Sequence, residues 1–339
     1  MDFNEVKLAA REKFQGSCRV CPVCNGVACT GEVPGMGGVG TGITFRNNVT
    51  ALAGYRFNLH TVHDINEPKM SCSLFGLDLA IPVIAAPIGG LSFNIKGALS
   101  EDAFVTSVVD GCYRFGTIAM TSDSPDPAGF ESGLRAIKSS KGWGIPIIKP
   151  RETGTFITMA QRAADAGALA FGMDIDAAAL INMTNVGQPV GPKTVIELTK
   201  IKQMTTIPFI VKGIMTRHDA EACYAAGVDA IVISNHGGRA LDHVPGTAEV
   251  LPGIVETVKG KMTILVDGGV RSGADVLKML ALGADAVLMG RPFAIGAVGG
   301  LAQGVELLLS KLAGELRAAM VLTGTADIAN ASPDIIYKS

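Results

Sequence analysis

From residue 80 onward the chain alternates short apolar segments with amphipathic segments of helical length, and this alternation constrains the fold more than any other feature. The apolar segments predict eight strands, at 81–86, 116–121, 146–149, 170–175, 209–212, 230–234, 263–266 and 286–289. Between them lie seven predicted helices, at 98–112, 127–140, 154–166, 192–204, 217–226, 247–259 and 272–282. The strands are apolar almost throughout, as expected for parallel strands that helices cover.

This pattern predicts a (β/α)8 TIM barrel with an N-terminal Cys/Gly-rich extension. In three places, 165–168, 226–229 and 282–285, a helix is predicted to end at a glycine directly before the next strand, as in repeated βα units. A doubly wound open sheet is the alternative, but no Gly-x-Gly-x-x-Gly motif follows the first strand. The predicted organisation is a Cys/Gly-rich segment (1–43), a connecting arm (44–78), the barrel (79–325) and a C-terminal tail (326–339).

Composition excludes several classes of protein. With 48% apolar and 18% charged residues, the 339-residue chain has enough apolar surface to fold, so it is not intrinsically disordered. A net charge of −2 provides no broad cationic surface, and nucleic acid is not an expected partner. The chain has no run of about 20 uninterrupted apolar residues, and its charged start has no signal-peptide core. The expectation is a cytoplasmic protein without a membrane partner.

In a TIM barrel the reactive side chains follow the carboxyl ends of the strands. The sixth predicted strand ends in Ser-Asn-His-Gly-Gly-Arg-Ala-Leu-Asp at 234–242. Its glycines allow a ligand to approach the backbone while His236 and Arg239 point into one mouth, although a lone histidine is more often structural. The fifth strand ends at Lys212, which could neutralise an electron-rich group.

Glycine-rich turns follow the seventh and eighth strands, at 267–271 and 290–291, and each turn carries an arginine. Consecutive turns of this kind form the usual phosphate pocket of a TIM barrel. The alternative is that these glycines only make tight connections. Together, the strand ends predict a small anionic substrate and a phosphate-bearing cofactor.

The residues at 44–325 resemble the FMN-dependent α-hydroxy acid dehydrogenase and oxidase family, which includes glycolate and lactate oxidases and mandelate dehydrogenases. The segment 234–242 matches the family signature except that Ala240 replaces a glutamine. The resemblance implies FMN as cofactor. It assigns to the cofactor site the following residues: Ala86, Pro87, Ser122, Lys212, Ser234, Asp267, Gly269, Arg271, Gly290 and Arg291.

The resemblance also implies the catalytic residues. His236 takes a proton from the substrate, Asp176 supports the imidazolium that forms, and Arg239 binds the substrate carboxylate. Four family residues are not matched. Ile148 aligns with the family tyrosine that bonds the substrate hydroxyl, and Pro146 aligns with a glutamine that contacts the flavin. Met183 aligns with a second carboxylate-binding arginine, and Asp174 aligns with a threonine that contacts the flavin. Lys149 or Arg151 could replace the missing cation.

Four cysteines at the N-terminus have the spacing C-x2-C-x2-C-x4-C: Cys18, Cys21, Cys24 and Cys29. Closely spaced thiolates of this kind are typical of loops that bind iron–sulfur clusters, here a [4Fe–4S] cluster. Zinc is one alternative, although its ligand pairs usually come from separate knuckles. Free thiols or a disulfide are the other.

These observations predict an FMN-dependent oxidoreductase that oxidises a small 2-hydroxy acid and passes the electrons to an unidentified acceptor. The family resemblance also implies a homo-oligomer, a tetramer or an octamer. Three alternatives remain open at this point: a flavin barrel without net oxidation, such as an isomerase; a flavin-free lyase with Lys212 as Schiff-base nucleophile; and a redox or electron-transfer protein that uses the cysteines. The loop 177–191 is long for a βα connection and is a candidate lid.

Overall fold

A computed structural model describes residues 2–180, 183 and 185–337. Eight parallel strands close into a barrel in the order β10-β3-β4-β5-β6-β7-β8-β9. Their bounds are β3 Val83–Ala85, β4 Ala119–Ser122, β5 Gly144–Ile148, β6 Phe171–Asp174, β7 Phe209–Ile214, β8 Ala230–Ile233, β9 Thr263–Val266 and β10 Ala286–Met289. The predicted TIM barrel is confirmed.

Helices cover the outside of the barrel. Those described are α1 Phe3–Lys13, α2 Ile43–Gly54, α3 Leu91–Asn94, α4 Glu101–Phe115, α5 Pro127–Ser139, α6 Thr153–Asp165, α7 Val195–Gln203, α8 Arg217–Ala225, α9 Thr247–Val258, α10 Gly273–Ala281 and α11 Arg291–Thr323. Several begin at a residue whose side chain accepts a first-turn N–H group, for example Ser100, Asp126 and Ser272. These caps place the helix starts close to the predicted ones.

Successive side chains of each strand point alternately into and out of the barrel. In β5, Ile145 and Ile147 belong to the inner cluster of buried side chains, whereas Ile148 packs in the outer cluster under the helices. In β7, Ile210 lies in the inner cluster and Val211 in the outer one. Continuing this alternation past the last apolar residue brings one residue per strand to the top of the barrel interior. Those residues are Ala86, Ser122, Lys149, Asp174, Lys212, Ser234, Asp267 and Gly290.

An antiparallel hairpin that the sequence did not predict precedes the barrel. Its strands are β1 Cys72–Leu74 and β2 Leu77–Leu79. Leu74 and Leu79 join the inner cluster of the barrel, which also contains Ile118 and Ala286 from just before and at the start of their strands. The hairpin therefore closes the amino end of the barrel and leaves the carboxyl end as the open one.

Several predicted boundaries differ from the observed ones by a few residues. The second strand was expected to begin at Gly116, but Gly116 has a φ of 91° and caps α4, so the strand begins at Ala119. The last helix is broken at Gly300 and Leu301, where the backbone leaves helical geometry. Residues 181, 182 and 184 of the predicted lid, and the last two residues of the predicted tail, lie outside the described residues.

The N-terminal segment packs against the barrel. A Cβ atom on Gly299 of α11 would lie 2.1 Å from the carbonyl oxygen of Val6, so α1 lies directly on the backbone of α11. Over Arg291–Leu322, α11 is long and apolar enough to cross a bilayer by length and composition alone. In its most apolar stretch, 56% is buried inside the protein, and packing against α1 and α4 accounts for that composition.

Candidate active site at the carboxyl ends of the strands

A cavity of about 260 Å³ opens at the carboxyl end of the barrel. Every residue predicted to be catalytic lines it, and so does every predicted cofactor residue except Ser234. Ser234 lies just below, where its hydroxyl donates to Oδ2 of Asp267 (2.9 Å) and accepts the backbone N–H of His236 (3.1 Å). The structure therefore brings together side chains from all eight strand ends, as the predicted barrel requires.

His236 and Asp176 form a hydrogen-bonded pair at the cavity wall. Nδ1 of His236 lies 2.9 Å from Oδ1 of Asp176. Gly213 makes room for that carboxylate: its φ is +110°, and a Cβ atom there would lie 2.7 Å from the Cβ of Asp176. Because a carboxylate at Nδ1 favours the tautomer protonated at Nδ1, the lone pair of His236 is on Nε2. This arrangement suits a general base.

Asp174 lies beneath the cavity and binds two lysines. Its Oδ2 accepts from Nζ of Lys149 (2.5 Å) and its Oδ1 from Nζ of Lys212 (3.1 Å). Nδ1 of His236 lies 3.5 Å from the same Oδ1 atom. Burial acts to raise the pKa of Asp174, but His236 and the two lysines together hold the pKa well below its usual value. Asp174 is therefore an anion that supports the two cations.

Lys212 is held in its charged form. Burial acts to lower its pKa, but the carboxylates of Asp174, Asp176 and Asp267 outweigh burial and raise the pKa above its usual value. The ammonium group is nearly inaccessible yet lines the cavity floor. A permanent positive charge at this position suits a bound group that gains negative charge.

The residue that faces the cavity from β5 is Lys149, and the alignment of Ile148 with the family tyrosine is therefore corrected. Ile148 is fully buried among outward-facing apolar side chains, whereas Lys149 lines the cavity. Strand alternation is the reason, because Ile147 points inward and the next inward position is Lys149. The same alternation directs Pro146 outward, away from the cofactor site that its alignment with the family glutamine implied.

Arg151, the other candidate to replace the family's second carboxylate-binding arginine, binds Asp123 and Gln188 instead of lining the cavity. Its Nε donates to Oδ2 of Asp123 (2.9 Å) and its Nη1 to Oε1 of Gln188 (2.5 Å). Asp123 also accepts the backbone N–H of Lys149 (2.8 Å), so this buried carboxylate positions the end of β5. Met183 lines the cavity with an apolar side chain where the family has an arginine.

Arg239 is half-buried at the cavity wall, without a carboxylate partner in the described part of the chain. Its guanidinium donates to the carbonyl of Gly35 and, through Nη2, to Oδ1 of Asn94 (2.7 Å). Burial lowers its pKa to about 10. A partly desolvated cation whose contacts are neutral oxygens attracts an anion. The role of the segment around Gly35, where Val33, Pro34 and Met36 line the cavity, was missed because this glycine-rich segment has no periodic pattern.

The second group of cations lies at the turns after β9 and β10. Nε and Nη2 of Arg271 are buried and have no hydrogen-bond partner among the described residues. Arg291 lies over the ring of Phe45 (3.8 Å) and donates to the carbonyls of Met36 (2.7 Å) and Gly37 (3.0 Å). Burial, together with Arg271 and Arg239, lowers the pKa of Arg291. Unsatisfied guanidinium donors at this position favour a bound phosphate.

Glycines leave space for the backbone around these donors. Gly269 has a φ of +80°, and a Cβ atom there would lie 2.5 Å from the carbonyl oxygen of Asn48. Only glycine is compatible with this turn. The free N–H groups of Arg271 at one end of the cavity and the cation of Lys212 at its floor fit the phosphate and the electron-accepting ring of FMN.

The four N-terminal cysteines are all free, half-buried thiols. Burial is the main cause that raises the pKa of Cys18, and the proximity of the other three thiols raises it further. Burial likewise raises the pKa of Cys29, whereas nearby Arg291 acts to lower it. The thiols therefore lie near one another and near the arginine group of the cavity. They are not part of the cavity lining.

Comparisons with known proteins agree with this geometry. Residues 35–338 match the model of the family described as FMN-dependent dehydrogenase. The chain is 32% identical to an L-lactate dehydrogenase of Xanthomonas campestris pv. campestris (strain 8004), over 87% of this chain and 89% of the relative. It is 31% identical to the L-lactate dehydrogenase of Xanthomonas axonopodis pv. citri (strain 306), with the same coverage.

Solved structures show the same fold. A crystal structure of mandelate oxidase with benzoyl-formic acid superposes with a TM-score of 0.80 and 27% identity, covering all of this chain and 98% of the other. A second mandelate oxidase crystal structure gives a TM-score of 0.80 and 26% identity, with the same coverage. The predicted FMN-dependent hydroxy acid oxidoreductase is thus confirmed, and the chain belongs to the FMN-dependent dehydrogenase family.

Proposed function

We propose that the protein oxidises a small 2-hydroxy acid to the corresponding 2-oxo acid, with His236 as the base. The observation that carries this proposal is the pair of His236 and Asp176 at the wall of a cavity that also contains unpaired cations. FMN, when bound, supplies the acceptor for the two electrons that leave the substrate. The relatives named L-lactate dehydrogenase and mandelate oxidase support a substrate of this class.

The proton of the substrate goes to Nε2 of His236. The imidazolium that forms is stabilised by Asp176, which accepts the Nδ1–H hydrogen bond. Asp174, 3.5 Å from the same nitrogen, adds a second negative charge. The two carboxylates orient the ring.

The carboxylate of the substrate binds between Arg239 and Lys149. Both line the cavity and both are cations, and Lys149 comes from the strand end where the family has a hydroxyl donor. Met183 and Phe93 provide apolar wall around the remainder of the substrate. This division of the cavity suits a small molecule with one anionic end.

FMN would be held through its phosphate and its ring. Arg271 and the backbone at Gly269 would bind the phosphate, and Arg291 lies over the same Phe45 ring as Arg271. Lys212, at the cavity floor, would stabilise the negative charge that the ring gains on reduction. Ser122 and Ala86 occupy the floor positions at the ends of β4 and β3.

The other functions considered from the sequence are not favoured. A Schiff-base lyase needs a neutral lysine, but Lys212 is paired with Asp174 and its pKa is raised. The relatives named as dehydrogenases and oxidases support net oxidation.

The decisive experiment is anaerobic mixing of FMN-loaded protein with L-lactate, glycolate and mandelate while the flavin absorbance is recorded. We expect at least one of these 2-hydroxy acids to bleach the flavin, with one 2-oxo acid formed per flavin reduced. The 3-hydroxybutyrate anion is the matched control, because its hydroxyl is not adjacent to the carboxylate, and it should leave the flavin oxidised. Retention of the flavin absorbance with every 2-hydroxy acid in a broad panel would overturn the proposal.

Some predictions remain at the level of the sequence. A cytoplasmic location, a tetramer or octamer, and the identity of the electron acceptor stay predictions. So do the absence of a membrane or nucleic-acid partner and the presence of an iron–sulfur cluster. Size-exclusion chromatography with light scattering measures the oligomeric state directly.

A further inference from the structure

The cysteine loop, residues 18–29, has no role in hydroxy acid chemistry, because its thiols lie outside the cavity lining. It carries four of the seven cysteines of the chain within twelve residues. All four are half-buried and free. The thiol of Cys18 already accepts the backbone N–H of Val20 (3.4 Å), a contact of the kind that stabilises a thiolate.

Groups other than the thiols hold the loop in shape. Arg11 donates to the carbonyls of Arg19 (3.1 Å) and Val20 (3.0 Å). Arg19 in turn forms a bidentate ion pair with Glu32 (2.7 and 2.8 Å). The backbone of the loop is thus fixed at both ends, and the cysteine side chains are left available for a ligand.

Zinc sites and iron–sulfur clusters hold their sulfur ligands at different separations. Among the described residues, no three of the four Sγ atoms lie within 4.8 Å of one another. Tetrahedral zinc with a Zn–S distance of 2.3 Å requires its sulfurs to be about 3.8 Å apart. A four-iron cluster holds its thiolates further apart, because each thiolate binds a different iron atom. The spacing of the four cysteines along the sequence favours the larger centre.

We propose that Cys18, Cys21, Cys24 and Cys29 bind a [4Fe–4S] cluster. Each Sγ atom forms one Fe–S bond and loses its proton to solvent, while the ligands that held the delivered cluster leave its iron atoms. No electron is transferred in this binding step. The iron and sulfide are supplied by the cluster-assembly machinery of the cell as a preformed cluster.

The surroundings suit the charge of such a centre. A cluster with four thiolates carries a net negative charge, and it would lie near Arg291, whose guanidinium makes no ion pair among the described residues. Gly26 of the cysteine loop lies against Phe45, since a Cβ atom there would be 2.7 Å from the ring. Arg291 lies 3.8 Å over that same ring. The loop and the phosphate end of the cavity are therefore in contact through one aromatic side chain.

The same segment of chain continues into the cavity wall. The carbonyls of Met36 and Gly37 accept hydrogen bonds from Arg291, and the carbonyl of Gly35 accepts one from Arg239. A cluster bound by the loop would further restrain the carbonyls that position two of the cavity arginines. We infer that loss of the cluster weakens FMN binding. This second inference rests on the proposed function only in taking FMN as the occupant of the cavity.

The test uses the full-length protein purified without oxygen from iron-replete cells. Iron, acid-labile sulfide, zinc and FMN are measured per chain, and an electron paramagnetic resonance spectrum is recorded after dithionite reduction. We expect about four iron and four sulfide per chain and the signal of a reduced cubane. Stoichiometric zinc, or iron near zero, would overturn the cluster.

Two variants separate the cysteine loop from other thiols. Cys21→Ser should lose the iron, whereas Cys72→Ser, which removes a half-buried free thiol of the hairpin, should retain all of it. Full iron content in Cys21→Ser would contradict the ligand assignment. Because Cys21→Ser could fail to fold, the cluster is also removed from the native protein with a chelator and an oxidant and then rebuilt with iron and sulfide.

FMN affinity, measured by fluorescence quenching before removal, after removal and after rebuilding, tests the link to the cavity. We expect about a tenfold weaker affinity without the cluster, recovered on rebuilding; an unchanged affinity would overturn the link. Flavin bleaching by 2-hydroxy acids in the same preparation keeps the two proposals distinct. Bleaching without iron overturns the cluster alone, and iron without bleaching overturns the proposed function alone.

Discussion

Asp174 and Lys212 are register partners on the neighbouring strands β6 and β7, and their side chains form an ion pair of 3.1 Å inside the barrel. Both side chains are almost inaccessible to solvent. A buried pair of this kind is strongly destabilised when one partner is removed, because the other charge is left without compensation. Removal of the Asp174 carboxylate would also leave Lys149 without its ion-pair partner, which adds to the destabilisation.

Replacement of Asp174 by asparagine should therefore lower the free energy of unfolding at pH 7 by about 3–5 kcal/mol. The measurement is urea unfolding followed by circular dichroism. Asp78→Asn, which changes an exposed carboxylate of the hairpin, is the control and should have little effect. A loss for Asp174→Asn as small as that of the control would show that the two lysines are neutral or differently paired.

The pH dependence of stability follows from the same group. The pKa of Asp174 in the folded protein lies below its ordinary value of 3.8, so its contribution is present above about pH 4 and is lost as the pH falls. The pKa of Lys212 is raised above 10.5, so its contribution is complete below that pH. Asp174→Asn should consequently lose less stability than the native protein between pH 5 and pH 3. Equal losses would argue against a depressed pKa.

Replacement of His236 by asparagine should slow flavin reduction by a 2-hydroxy acid by about a hundred- to ten-thousand-fold, the range for loss of a general base. FMN content should be unchanged, because His236 makes its hydrogen bonds to Asp176 and Ser234. Stopped-flow absorbance under anaerobic conditions measures the rate. Asp176→Asn should also slow reduction, and a normal rate in either variant would remove the pair from the mechanism.

Arg271→Gln should weaken FMN binding by about ten- to a hundredfold, because a hydrogen bond to a charged group is worth about 1.5–3 kcal/mol. The guanidinium has two buried nitrogens without partners among the described residues, so the substitution removes donors that await a ligand. Equilibrium dialysis of apoprotein with FMN gives the dissociation constant. Arg317→Gln, at an exposed surface ion pair, serves as the control. Unchanged affinity in Arg271→Gln would place the phosphate elsewhere.

Lys149→Met should raise the KM for the substrate by about tenfold or more through loss of a charged contact to its carboxylate. FMN content should remain at the native level. The comparison is with Lys138→Met, which alters an exposed lysine of α5. An effect on kcat alone, with KM unchanged, would mean that Lys149 acts on the reaction through Asp174 and does not bind the carboxylate.

Much of the site could be predicted because strand ends meet at one end of a barrel. His236, Arg239 and Lys212 were predicted from their places after strands, and the structure brings all three to the cavity. The position of Lys149 was left open, because an alignment error of one residue exchanges the inside of a barrel for its outside. The segment at Gly35 could not be foreseen, since its contacts cross some two hundred residues of chain.

The sequence by itself determined the alternation of strands and helices, and with it the barrel and the family, because these depend on local apolar periodicity and on a long contiguous motif. Tertiary structure alone decided which cations remain without an anionic partner. Arg151 forms an ion pair with Asp123, and Lys149 forms one with Asp174. Arg271, in contrast, retains N–H donors without a partner among the described residues. The physical reason is that pairing depends on distances between side chains from different strands, and those distances exist only once the barrel has closed.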